Sequence, residues 1–210
     1  MRVIRMDPLR LFPMFLKLGG RPCLVVGAGT VAESKIASLI EAHARVLVVA
    51  PDATPGVRSW AQENRMEWQQ RGFQPGDLDG MFMVVAATSS TELHKQIFQE
   101  ARRRGVLCNI VDVPELCDFY YPAVVQRGAL QIAVSTSGQS PALAQRLRIE
   151  LEEQFGPEYE AWLAHLSEAR DKLLTRELDP EERKRLLHSL ASQEAFEAFC
   201  REHPPARPPG

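Results

Sequence analysis

Cys23-Leu24-Val25-Val26-Gly27-Ala28-Gly29-Thr30-Val31-Ala32 is an apolar run that enters a glycine turn and leaves it as the start of a helical pattern. The order strand, tight turn, helix is that of a dinucleotide-binding unit. Gly27 permits the sharp turn, Gly29 lets backbone approach a pyrophosphate, and Ala32 is small enough for the helix to pack on the strand. The free N–H groups at a helix start and the positive dipole end, about half an elementary charge, stabilise phosphate without a basic side chain. Gly27, Ala28, Gly29, Thr30 and Val31 are therefore the expected pyrophosphate contacts.

Outward from this stretch, a helix is expected over residues 31–41. A second apolar run follows, Val46-Leu47-Val48-Val49-Ala50, ending in Pro51-Asp52. Asp52 stands about 20 residues past the glycine turn, where a carboxylate accepts hydrogen bonds from the adenosine ribose and repels a 2′-phosphate. Pro51 and Asp52 are thus expected at the ribose, and NAD rather than NADP is the expected cofactor.

The chain has 210 residues, 45% of them hydrophobic, enough for one large domain or one domain with appendages around a real core. No run is long enough to span a bilayer, and the start lacks the order of a secretory signal, Met1–Arg5 reading as a ragged extension. Cytoplasmic residence is the expectation. The net charge of −2, with both signs intermixed, argues against nucleic acid as a partner. Arg102-Arg103-Arg104 reads as the cationic end of a helix before Gly105. The four cysteines, Cys23, Cys108, Cys117 and Cys200, show neither zinc nor disulfide spacing, and Cys23 and Cys108 lie in apolar runs that suit a core. No metal ligand is assigned.

A helix over residues 57–64 precedes the continuous apolar run Met81–Thr88, which suits a strand buried on both faces. Its end, Ala87-Thr88, falls at the carboxyl edge of the sheet, where doubly wound folds bind ligands, so Ala87 and Thr88 are expected to touch the cofactor. A helix over 92–104 leads to the strand Val106–Val111, which Asp112 closes at the same edge. An acid there suggests chemistry. The chain then changes character: residues 118–126 and 130–134, joined at Arg127-Gly128, read as a hairpin. Ser135-Thr136-Ser137-Gly138-Gln139-Ser140-Pro141 follows, with Ser140 as cap and Pro141 as first residue of a helix carried by Leu143, Leu147 and Leu151. On residue chemistry alone this stretch is either an anion site or a capped connecting loop.

Taken in order, Val25–Ala32, Ala86-Ala87-Thr88, Asn109-Ile110-Val111-Asp112, Phe119-Tyr120-Tyr121-Pro122 and Ser135–Pro141 resemble the precorrin-2 dehydrogenase and sirohydrochlorin ferrochelatase family, also found as the N-terminal part of siroheme synthase. The resemblance runs from about Met6 to Leu151. It implies NAD-dependent oxidation of precorrin-2 to sirohydrochlorin, followed in some members by insertion of ferrous iron as a second substrate. Asp112 matches the family's catalytic aspartate, and one carboxylate could remove macrocycle protons in both reactions. The substrate carries many carboxylates, so Asn109, Ser135, Thr136, Ser137 and one of Arg146 or Arg148 are expected to receive it, with Arg146 as the candidate. The resemblance also implies a homodimer built on the hairpin and the following helix. The chain departs from the pattern at Ala28, His43, His94 and Ser137. None removes a catalytic group, and no histidine is assigned catalysis: His43 suits a left-handed helix end and His94 a solvated or capping position.

The expected architecture is α/β: a Rossmann-like parallel-sheet, NAD-binding domain over 1–112, a β-hairpin and helix dimerisation region over 113–150, a small helical C-terminal domain over 151–203, and a disordered tail over 204–210. In the helical part, Tyr159, Trp162, Leu163 and Leu166 share one face, then Leu186, Leu187 and Leu190, with Asp179-Pro180 between them. The methyltransferase domain of fused siroheme synthases is not expected, so a separate enzyme would supply the substrate. Two other readings compete. A nucleotide-sensing regulatory module would bind without turnover, and a dehydrogenase for another substrate would ignore tetrapyrroles.

Overall fold

The computed structural model describes residues 11–204; the expectations for Met1–Arg5 and for the tail beyond Pro204 lie outside them. The chain divides into two compact units between Tyr121 and Pro122.

The first unit is a five-stranded sheet in the order β3-β2-β1-β4-β5, every neighbouring pair parallel. Its strands are β1 (Pro22–Val26), β2 (Arg45–Val49), β3 (Glu67–Gln69), β4 (Met83–Ala86) and β5 (Leu107–Ile110), and its helices α1 (Thr30–Glu41), α2 (Pro55–Gln62) and α3 (Thr91–Arg104). The central strands are apolar at every position because both faces are covered. Cys23, Val25, Val48 and Val85 face one core with Ile36, Leu39 and Val57, while Leu24, Val26, Val84 and Ile110 face the other with Leu78 and Ile97. Each such fully buried Val, Leu or Ile contributes about 1.5–3 kcal/mol.

Helix ends follow local chemistry. Ser90 Oγ accepts from Leu93 N at 3.3 Å to cap α3, and Gly105 closes it in the left-handed conformation, φ 66°. The expected arginine cluster decorates that end: Arg103 and Arg104 pair with Glu100, Arg104 also with Asp79, and Arg102 lies over Phe98. His43 is left-handed, φ 57°, after α1. His94 is a correction: it is buried, and its Nε2 lies 2.9 Å from the Thr88 carbonyl oxygen, bridging α3 to the end of β4. The edge strand β3 was not legible in the sequence, being three residues without an apolar period.

The second unit holds the expected hairpin, β6 (Ala123–Arg127) with β7 (Leu130–Val134), turning at Gly128 with φ 53°. Four helices follow: α4 (Pro141–Gln154), α5 (Glu158–Leu174), α6 (Pro180–Leu190) and α7 (Gln193–Glu202). Arg127 donates to Phe155 O at 2.9 Å and to Glu152 O at 3.1 Å, placing a cation on the free carbonyls that end α4. Tyr159 and Trp162 of α5 pack on Phe196 of α7, with centroids 4.5 and 4.8 Å away. Helix α7 carries no separate expectation from the sequence; Ser192 Oγ, accepting from Ala195 N, starts it.

The division at Tyr121 falls past the boundary expected at Asp112. The chain after β5 doubles back on it: Asp118 Oδ2 accepts from Cys108 N at 2.9 Å, Asp118 N donates to Cys108 O at 2.7 Å, and Phe119 and Tyr121 pack on the core beside α1. The hairpin region and the helices beyond it form one unit rather than separating at residue 150. Among the described residues, no helix is long and apolar enough to cross a membrane.

Candidate functional site

The strand order reverses direction between β1 and β4, and the glycine turn lies there. Gly27 takes φ 103°, its N–H donates to Val49 O at 3.0 Å, and Ala87 N donates to Val26 O at 2.9 Å, so the ends of β1, β2 and β4 meet at one edge. Ligands of open parallel sheets bind in the crevice at such a reversal. Gly29 is the N-cap of α1 and offers no side-chain cap, whereas Thr54, Ser90, Ser140, Asp179 and Ser192 cap the helices they begin. A Cβ on Gly29 would meet nothing within 4 Å, and Thr30 and Val31 are exposed. The N–H groups of this first turn therefore open onto free space.

Ala28 is buried, and its carbonyl accepts from Thr54 N at 3.0 Å, which fastens the loop after β2 to the glycine turn. Pro51 and Asp52 are exposed in that loop. Asp52 Oδ1 accepts from Ala53 N at 2.8 Å and pairs with Arg58. Thr88 Oγ1 is buried and has no hydrogen-bond partner among the described residues. A buried hydroxyl without a partner costs about 1–3 kcal/mol, so one at the mouth of a crevice is a group waiting for a ligand. Open N–H groups, a glycine without a neighbour and an orphaned hydroxyl fit a dinucleotide.

Asp112 stands past β5 at the same edge. Val111 N donates to Ala86 O at 2.9 Å, extending the ladder by one residue, and Val113 N donates to Ile110 O at 3.1 Å. Asp112 is thus the third residue of a tight turn and takes φ 63°, a conformation Asp tolerates better than most side chains. Lys35 of α1 feels its charge: burial pulls the Lys35 amine down from its ordinary value, and the Asp112 carboxylate works against that. The ammonium sits 4.0 Å from the centroid of the Tyr121 ring, and the Tyr121 hydroxyl, buried without a partner among the described residues, is pushed up to about 12 by burial and by nearby Cys23.

Asn109 is adjacent but differently employed. Its Nδ2 donates to Phe119 O at 2.7 Å and meets Cys117 Sγ at 3.5 Å, so the amide holds the returning loop beside Asp112 rather than pointing outward. In the second unit, Ser135 Oγ accepts from Ser137 N at 3.1 Å, and Thr136 Oγ1 bonds both N and O of Ser140 at 3.1 Å. Ser137 is left-handed, φ 53°, and Ser140 caps α4 through Leu143 N at 3.2 Å. Arg146 pairs with Glu150 at 3.1 Å and Arg148 with Glu152, each one turn along α4. The glycine turn, Asp52, Ala87, Thr88 and Asp112 thus share one sheet edge, while Ser135–Ser137 and Arg146 belong to the other unit. Lys35 and Arg58 are additions that no sequence motif singled out, and Tyr121 stood there only within the motif Phe119–Pro122. Lys35 and Arg58 lie on helix faces, and no local pattern says which loop a helix face will meet.

The fold and this edge define a doubly wound dinucleotide-binding protein. Residues 14–123 match the NAD(P)-binding model NAD_binding_7, and the chain belongs to that family. Residues 127–154 match the model of the sirohaem biosynthesis protein central region. A siroheme synthase of Thioalkalivibrio sulfidiphilus is 38% identical over 90% of this chain and 38% of its own length. Siroheme synthase 1 of Cronobacter sakazakii is 43% identical over 69% of this chain and 31% of its own. The chain thus spans less than two fifths of the length of these curated relatives. Among solved structures, SirC, a precorrin-2 dehydrogenase, superposes with a TM-score of 0.76 over 91% of this chain and 98% of that one, at 24% identity. It shares the fold.

Proposed function

We propose that this chain oxidises precorrin-2 to sirohydrochlorin with NAD, within siroheme biosynthesis. The observation that carries the reading is Asp112, a carboxylate held in a left-handed turn at the crevice edge that also holds the glycine turn and Thr88. The siroheme synthase relatives and the sirohaem central match beyond residue 127 support the same reading.

When bound, NAD supplies a hydride acceptor. The open N–H groups at α1 fix the pyrophosphate, and Thr88 Oγ1 gains the partner it lacks. Loss of a hydride from the macrocycle must be matched by loss of a proton, and Asp112 takes it as general base. Its turn, closed by the Val113–Ile110 bond and backed by the Asn109–Phe119 bond, keeps the carboxylate from drifting. Ser135, Thr136, Ser137 and Arg146 are proposed to receive substrate carboxylates, Arg146 by exchanging Glu150 for the ligand. A homodimer through β6, β7 and α4 is part of the proposal; Val124, Leu143 and Ile149 are exposed apolar side chains on those elements.

The test is anaerobic absorbance with enzymatically generated precorrin-2 and NAD, comparing wild type with Asp112→Ala. NADH and sirohydrochlorin from wild type alone support the proposal, and NAD binding without reduction overturns it in favour of a sensor. Adding ferrous iron to both reports separately on siroheme formation.

A further inference from the structure

Lys35 lies on the inward stripe of α1, three residues after Ala32 and four before Leu39, both of which are buried. Its side chain is half-buried, and the ammonium rests 4.0 Å from the centroid of the Tyr121 ring. That ring packs against the core with Phe119, 5.8 Å between centroids, and the Asn109 amide holds Phe119 through its carbonyl. The chain that leaves the Asp112 turn therefore returns as an aromatic floor beneath a cation.

The cations early in the neighbouring helices are engaged. Arg58 of α2 pairs with Asp52, and Lys95 of α3 pairs with Glu92. Lys35 has no ion-pair or hydrogen-bond acceptor among the described residues, Asp112 included, and an aromatic face attracts a cation without satisfying its three N–H donors. Burial draws the amine toward its neutral form, and the Asp112 charge holds against that. A further carboxylate arriving from the crevice acts in the same direction and takes the unused donors. A tetrapyrrole with many carboxylates brings such a group to the edge at which Asp112 stands.

We propose that Lys35 binds a carboxylate of the tetrapyrrole and so sets which part of the macrocycle meets Asp112. The inference rests on the precorrin-2 reading above.

The test first assays wild type for NAD reduction with precorrin-2. The full chain is then titrated with sirohydrochlorin, followed by absorbance, and with NAD, followed by calorimetry, for wild type, Lys35→Met, Lys35→Gln and Lys35→Arg. Both neutral variants should bind sirohydrochlorin about tenfold or more weakly, with the dissociation constant for NAD within about threefold of wild type. Lys35→Arg keeps the charge and should recover most of the loss. Sirohydrochlorin binding within about threefold of wild type in both neutral variants overturns the proposal, and a fall in turnover alongside it would mean that Lys35 acts through Asp112 instead. Equal loss of NAD and sirohydrochlorin in all three variants overturns it too, because position 35 then serves the helix and not the ligand. No NAD reduction by wild type removes the precorrin-2 reading itself, and this inference with it.

Discussion

A Cβ on Gly27 would overlap the carbonyl oxygen of Ala87 and lie 3.0 Å from its carbonyl carbon, so β1 and β4 touch backbone to backbone where the strand order reverses. Gly27 also holds φ 103°, which side chains rarely adopt. Gly27→Ala is thus expected to lose about 1–3 kcal/mol of unfolding free energy and to weaken NAD binding together with it. Urea unfolding and titration calorimetry on the same sample check both effects. Unchanged stability would show that the backbone gives way without cost.

Asp112→Asn keeps the shape and the left-handed turn but removes the proposed base. Turnover of precorrin-2 is expected to fall by about 100-fold or more, with the dissociation constant for NAD unchanged. Single-turnover absorbance against calorimetry separates chemistry from binding. A variant with full turnover would leave Asp112 as a turn residue only.

His94 joins α3 to the end of β4 through the Thr88 carbonyl. His94→Ala leaves that half-buried carbonyl without its partner and opens space, at an expected cost of about 1–3 kcal/mol in urea unfolding. Its hydrogen-exchange signature should centre on the first turn of α3. A loss spread evenly over the sheet would argue against a local bridge.

Cys108 is fully buried, and its thiol is pushed up to about 12 by burial, with the neighbouring Asp118 and Cys117 adding to the shift; burial likewise holds Cys23 at about 11. In the unfolded chain a thiol ionises near about 8.5. Above that pH the unfolded state has lost the proton and the native state retains it, so stability falls as pH rises toward the folded values. Cys108→Ala is expected to be less stable at pH about 7 yet to lose less between pH about 8 and about 10 than wild type. Parallel slopes would show that other groups govern the alkaline limb.

Ser140 caps α4, and Pro141 fills its first turn. Ser140→Ala should cost about 1 kcal/mol, seen as a lower midpoint for the second unit in denaturant. No change would mean that Thr136, which bonds both N and O of Ser140, holds the turn alone.

Much of this protein was legible in the sequence because the deciding signals are local. The glycine turn, the continuous apolar strands, the cap at Ser140, the left-handed ends at His43 and Gly105 and the Arg127-Gly128 hairpin each follow from a few adjacent residues. Strand β3 was missed for the same reason: three polar-edged residues carry no period.

The sequence by itself determined a parallel dinucleotide-binding sheet, the edge at which such sheets take ligands and the acid that closes β5, because backbone conformation and burial are encoded over short spans. Tertiary structure alone decided the company those residues keep. It placed Arg58 on Asp52, Lys35 beside Asp112, His94 under Thr88 and the chain through Tyr121 back against the sheet. Such pairings depend on how helices rotate and loops return once the core is packed, and no local pattern of residues specifies that geometry.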